Sequence, residues 1–390
     1  MASIAGRQLA ELLAAKEMVV VCGSGGTGKT TIAAALGAQA ARSLGGRVLV
    51  LTVDPAKRLA TALGLQELGH GHVRVANDAL GAKPGRRIDG ELWVAMLDTK
   101  AGWDELITRH APSADVRERV LANPLYRNIT GRFVNSHDYL AMEQLYDLHV
   151  SGRYDLVVID TPPSRNALDL LDAPGRMREF FGSRLLRWLT VPYRSRLFTF
   201  ASKPFYQVAD RVLGSRFLQD IAEFFVLFQT MEAGFVARAK EVERLLSDDG
   251  TAFVVVATPE AAPMREARYL VDALRERRLP LGAVVMNRVL PTDIRHPGAT
   301  KSAARLSAMA GERAKMKTLA STTGHDPTVL AEVMKEVSER FHDTTVVAAR
   351  EAERRREMES LVSLVAVVPA LADDVHDTAG LVEIGRRLFG

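Results

Sequence analysis

One short stretch constrains this chain more than any other. Residues 23–30 read Gly-Ser-Gly-Gly-Thr-Gly-Lys-Thr, which fits G-x-x-x-x-G-K-T. It follows the apolar run Met18 to Val21 and opens a helical pattern from Thr30 to Leu44. Glycines at this spacing let successive backbone N–H groups turn inward around a chain of phosphates, and the helix N-terminus adds partial positive charge. Gly23, Ser24, Gly25, Gly26, Thr27 and Gly28 would form the loop. Lys29 would reach the β- and γ-phosphates, Thr30 would offer its hydroxyl to Mg²⁺, and Thr31 would follow in the first helical turn. The motif therefore predicts a nucleoside polyphosphate with Mg²⁺ as the ligand.

A phosphate loop of this kind needs a parallel sheet, and the rest of the chain supplies the pattern for one. Val48 to Leu51, Leu92 to Leu97, Leu156 to Ile159, Phe253 to Val256, Ala283 to Met286 and Leu364 to Val368 are further short apolar runs separated by helical stretches. Continuous apolar strands alternating with helices predict an α/β fold, with a mostly parallel sheet buried on both faces. Ligands in such sheets sit at the carboxyl ends of the strands. Asp160, ending Leu156-Val-Val-Ile-Asp160, is placed to hold the metal shell. Asp54, the carboxylate that ends a second strand, Val48-Leu-Val-Leu-Thr-Val-Asp54-Pro55, is a candidate to position or deprotonate the attacking water, or else a loop cap before Pro55. Asn287, ending Ala283 to Asn287, is a candidate for the adenine edge or a turn former.

The chain reads as one domain over residues 1–390, with helical insertions at about 101–150, 175–246 and 295–360. Ten of the 14 phenylalanines lie between Phe180 and Phe235, which concentrates apolar area in the second insertion. Phe224, Leu227, Phe228, Met231 and Phe235 follow helical spacing, as do Phe181, Leu185 and Trp188. Two readings stay open: helices packed on a core, or a groove for an apolar client.

Charge and cysteine content exclude several functions. The 51 basic and 47 acidic residues leave a net charge of +4, too small for nucleic acid to be the main partner. One cysteine, Cys22, rules out a disulfide framework. Soft metalloids need several thiolates, so no arsenite or zinc site is expected. The N-terminus lacks a secretory layout, no apolar run is long enough to span a membrane, and a cytoplasmic protein is expected. Attachment to the inner face of the membrane remains compatible with the sequence, and the C-terminal Leu381 to Phe389 is weakly amphipathic.

The P-loop, Thr52-Val-Asp-Pro-Ala56, Tyr154 to Pro163, Ala257-Thr-Pro-Glu260, Asn287 and Val368-Pro369 together resemble the ArsA-type anion-transporting ATPases and the related targeting ATPases for tail-anchored proteins. ParA and MinD partition ATPases are wider relatives. The resemblance implies a nucleotide-dependent dimer, a homodimer or a heterodimer with a related subunit, whose helical subdomain opens and closes around an apolar or membrane-protein client. It implies that Asp54 activates water, Asp160 binds metal, and Asn287 with Pro369 borders the adenine. It also implies switch segments that include Lys57, Arg58, Pro163 and Arg165. The sequence departs from the family at Ser24, where relatives carry an extra lysine that reaches the partner's site. That departure leaves two readings open: a self-sufficient ATPase in which Lys57, Arg58 or Arg165 compensates, or a regulatory ATP-binding subunit of a heterodimer that hydrolyses little. A MinD-like positioning ATPase is a further alternative.

Overall fold

In the computed structural model, the described residues are 3–53, 71–78, 80, 81, 88–96, 99–129, 136–161, 215–371, 375 and 377–390, with isolated positions at 59, 60, 63, 172, 175, 176 and 179. The strands β1 (Met18–Gly23), β2 (Arg47–Thr52), β3 (Val73–Val75), β4 (Glu91–Met96), β5 (Leu156–Asp160), β6 (Thr251–Ala257), β7 (Leu281–Val289) and β8 (Val365–Pro369) join one sheet in the order β3-β4-β2-β5-β1-β6-β7-β8. Every neighbouring pair is parallel except β3 with β4. All seven apolar runs read from the sequence are strands. β3 is an addition at the edge, too short to show a period.

Side-chain alternation sends successive residues to opposite faces, and both faces are covered. Val19 and Val21 of β1 pack on one side with Leu9 and Leu13 of α1 (Ile4–Ala14), the alanines of α2 (Lys29–Ser43) and Leu381, Ile384 and Leu388 of α13 (Thr378–Phe389). The apolar face of α13 formed by Leu381, Ile384 and Leu388 is thus buried within the chain. Small residues bring α2 close to the sheet; a Cβ at Gly37 would strike Val50. On the other side Met18, Val20 and Cys22 meet α6 (Ser136–Val150), α8 (Glu232–Leu246), α9 (Ala261–Glu276) and Met358 of the long helix α12 (Pro327–Leu361).

The insertions form two helical regions. In the first, α3 (Thr99–His110), α4 (Ala114–Ala122), α5 (Pro124–Ile129) and α6 combine with α7 (Ser215–Gln229) and α8 around a third core cluster. Phe224, Leu227, Phe228, Met231 and Phe235 are buried inside it with Trp103, Ile107, Tyr126 and Tyr139. The five described members of the candidate client groove are therefore core residues. Their aromatic surface is spent on one another: Phe224 and Phe228 stack at 5.3 Å, and Phe228 meets Phe235 at 5.3 Å. Phe181, Leu185 and Trp188 lie outside the described residues.

The second region is α10 (Pro297–Ala310), α11 (Arg313–Thr323) and α12, entered through a 3-10 turn, Thr292–Arg295. It has little interior. Met316 and Ala320 are buried on α11, and Ser338, Ala348, Glu351 and Met358 on α12. Val329, Val333 and Val337, spaced at i, i+4, are 54%, 50% and 51% exposed. No described helix is long and apolar enough to cross a membrane.

Candidate nucleotide-binding site

The P-loop stands where β1 leaves the sheet. Gly23, Gly26 and Gly28 have φ values of 152°, 80° and 88°, a region that side-chain-bearing residues rarely adopt. A Cβ at Gly23 would run into the Val256 carbonyl, and one at Gly28 into the Asn287 amide. The loop is closed on itself. The Ser24 carbonyl accepts from Lys29 Nζ at 2.9 Å and from Thr27 Oγ1 at 2.9 Å. Lys29 is buried, with its ammonium resting on a neutral carbonyl. A phosphate oxygen is the stronger acceptor, so an incoming polyphosphate can take over this lysine.

Register brings the second acidic strand end to the loop. Asp160, the last residue of β5, pairs with Val21 of β1 and with Thr52 of β2. The Thr52 hydroxyl donates to Asp160 Oδ2 at 3.0 Å, and the Val53 N–H donates to the Asp160 carbonyl at 3.1 Å. Thr161 is tied to the Val21 carbonyl by its own hydroxyl at 2.9 Å. Asp160 is fully buried and held in place by β2. Thr52 is a site residue that the sequence reading did not single out. Its signal is a polar residue ending the otherwise apolar run Val48 to Leu51. Thr30, in the first turn of α2, and Asp160 offer the hard oxygen donors that Mg²⁺ prefers. Among the described residues no group of three or more His, Cys, Asp or Glu converges on a metal-sized site.

The other side of the loop is open. A cleft of about 430 Å³ is lined by Gly28, Thr31, Asn287, Arg288, Val368 and Pro369, among others. That is within the range of small-ligand sites. Asn287 and Pro369, matched by resemblance to the adenine border, do lie together here. Asn287 also straps the loop: Nδ2 donates to the Thr27 carbonyl at 2.9 Å, and Oδ1 accepts the Arg288 N–H at 3.0 Å. Behind the cleft, buried Glu351 of α12 accepts the Leu290 N–H at 2.8 Å. Burial, and secondarily Glu260, raise the Glu351 carboxyl above its ordinary range, against the lowering effect of the Leu290 hydrogen bond and Arg354. Arg354 donates to the Pro259 carbonyl at 2.6 Å, tying the same helix to the loop after β6.

Ser24 is turned inward. It is buried, and its hydroxyl has no hydrogen-bond partner among the described residues. Its contribution to the loop is its carbonyl. Cys22 is buried beneath the loop, and burial pushes its thiol up to about 12 despite the lowering effect of Lys29, so it stays a neutral packing residue. Asp54, Lys57, Arg58, Pro163 and Arg165 lie outside the described residues.

The anion-transporting ATPase family matches residues 16–321 of the chain. The chain belongs to the ArsA-type anion-transporting ATPase family. Membership makes it an ATPase, in agreement with the nucleotide cradle and the strand-end aspartate. An uncharacterised protein of Streptomyces coelicolor is 29% identical over 282 residues, which are 70% of this chain and 63% of that protein, so the chain covers less than two thirds of that relative's length. An ATPase of Paramecium tetraurelia, named as an ASNA1 homologue, is 25% identical over 70% of this chain and 75% of its own. A putative arsenical pump-driving ATPase of Aquifex aeolicus is 23% identical over 69% of this chain and 79% of its own. The family match ends before α12, so the helix that braces the cleft lies beyond the matched region, as does Pro369.

Proposed function

We propose that this ArsA-type chain binds ATP between the P-loop and the cleft beside β7 and β8, and hydrolyses it in a cycle that opens and closes a dimer around an apolar or membrane-protein client in the cytoplasm. The observation that carries the nucleotide reading is convergence: the P-loop, Asp160 and the Asn287–Pro369 cleft lie at the carboxyl ends of β1, β5, β7 and β8, along one edge of the sheet. Lys29 and the loop N–H groups bind the polyphosphate. Asn287 keeps the loop in shape, and Thr52 orients the Asp160 carboxylate. A magnesium ion bound with the nucleotide would be held by Thr30 and Asp160 and would neutralise phosphate charge. Asp54 follows Thr52 by two residues, and we assign it the positioning of the attacking water. The dimer and the client rest on the family resemblance. The burial of Phe224, Leu227, Phe228, Met231 and Phe235 in a core favours a client surface elsewhere on the chain.

Steady-state hydrolysis of Mg²⁺-ATP by the purified chain, beside Lys29→Ala, tests this reading. Turnover that the substitution removes supports it. Equal ATP binding and hydrolysis by the two proteins would overturn it. The inward Ser24 favours a second reading, a regulatory subunit that binds ATP and turns it over slowly, because nothing at that position carries charge toward a facing site. Tight ATP binding without turnover by the isolated chain supports that alternative, and brisk turnover excludes it.

A further inference from the structure

Arg288 has a left-handed backbone, with φ 59°. Among the described residues the other non-glycine example is Arg278, which follows the last turn of α9 and ends that helix in a common way. Arg288 instead sits within β7. There the pairing of β7 with β8 shifts: Met286 faces Val367, yet Val289 faces Pro369, so β7 carries one extra residue over the same span. A bulge re-aims a side chain, and such features gather beside functional sites. Residues 283–287 and 289 are buried, while Arg288 is exposed at the mouth of the cleft. Its Nη1 lies 3.4 Å from the Gly26 carbonyl, which is its one side-chain hydrogen bond among the described residues. Its own N–H is fixed by Asn287 Oδ1.

We propose that Arg288 is a nucleotide-binding residue, a second cation that serves the polyphosphate from the β7 side of the loop. The assignment deepens, and rests on, the ATP-binding reading above. A 3.4 Å bond to a neutral carbonyl is long and weak, whereas a phosphate oxygen accepts a shorter, charge-assisted bond from a guanidinium. Gly26 sits mid-loop, so a guanidinium resting on it stands at the rim of the phosphate cradle. Ser24 contributes no charge; Lys29 and Arg288 are the cations that touch the loop among the described residues. The bulge spends a strand residue to aim this side chain at the loop.

Calorimetric titration of the full chain with ADP tests the assignment, using wild type, Arg288→Ala, Arg288→Lys and Lys29→Ala at two salt concentrations. Arg288→Ala is expected to weaken ADP binding about tenfold, with Arg288→Lys recovering most of the loss. The salt dependence of Arg288→Ala should be shallower than that of wild type, because one screened charge pair is gone. ADP affinity within about twofold of wild type, or an unchanged salt dependence, overturns the Arg288 assignment alone. If wild type binds no ADP, or Lys29→Ala binds it equally well, the ATP-binding reading fails and this assignment falls with it.

Discussion

The two helical regions attached to the sheet are built on opposite principles. The region from α3 to α8 encloses a core of its own, with aromatic rings from five helices in contact and, beside them, an ionic network that runs from buried Glu143 out to the surface at Arg109 and Asp147. Tyr139 donates to Glu143; Arg238 meets Glu143 at 2.9 Å and Asp147 at 2.8 Å, and Arg109 meets Asp147. Removing water from such a network commits the helices to one arrangement, since any partner left alone in the interior is costly. The region from α10 to α12 has few buried side chains and an exposed valine stripe. Most of its surface pairs lie within one helix, such as Glu336 with Arg340 and Glu359 with Arg355, although Arg268 of α9 also meets Glu357. These stiffen a helix by a few tenths of a kcal/mol each and do not specify what packs against it. One region is held by its interior, the other chiefly by local helix stability and its attachment near Glu351.

The contrast breaks most sharply at Phe235, which is fully buried and touches His110, Tyr139 and Phe228. Phe235→Ala should lower stability by about 3–5 kcal/mol, read as a shift in the urea midpoint. A loss under about 1 kcal/mol would mean that this core is not closed in solution.

A smaller effect is expected from pH at His110. Burial, and then Arg238 and Arg109, push the ring from its ordinary 6.5 down to about 4, while Asp147 opposes them. The unfolded chain then takes up a proton that the folded chain refuses. Stability from this residue is therefore complete above about pH 6.5 and declines as pH falls toward 4. One proton sets a ceiling of about 1.4 kcal/mol per pH unit, and the ring's partial contact with water reduces it. His110→Phe should lose less stability than wild type between pH 7 and pH 5 in matched urea titrations; identical declines would remove His110 from the account.

The smallest effect belongs to the other region. Val333→Gln should change stability by no more than about 0.5 kcal/mol, because the side chain is already half in water. A clear loss would show that the stripe is covered in solution and would narrow the difference between the two regions.

How far the sequence could be read follows from the range of the interactions involved. Buried strands announce themselves as short apolar runs, and the P-loop is contiguous, so the sheet and the phosphate cradle were both legible. The Asp160 carboxylate was legible because it ends such a run. The Thr27–Asn287 strap spans 260 positions, and neither residue type announces it. The Arg288 bulge appears only once β7 and β8 are in register. The inward turn of Ser24 depends on packing around the loop. The phenylalanine cluster was visible as composition, but whether its face met a core or an opening depended on helices α3 to α6, about 100 residues upstream.

Helix α12 has the proportions of a lever. At 1.5 Å per residue, Pro327 stands about 36 Å along the axis from Glu351, where the helix grips the backbone beyond Asn287. Each degree of rotation at that fulcrum sweeps the far tip through about 0.6 Å. A rotation of a few degrees there would move the far tip by about 2 Å.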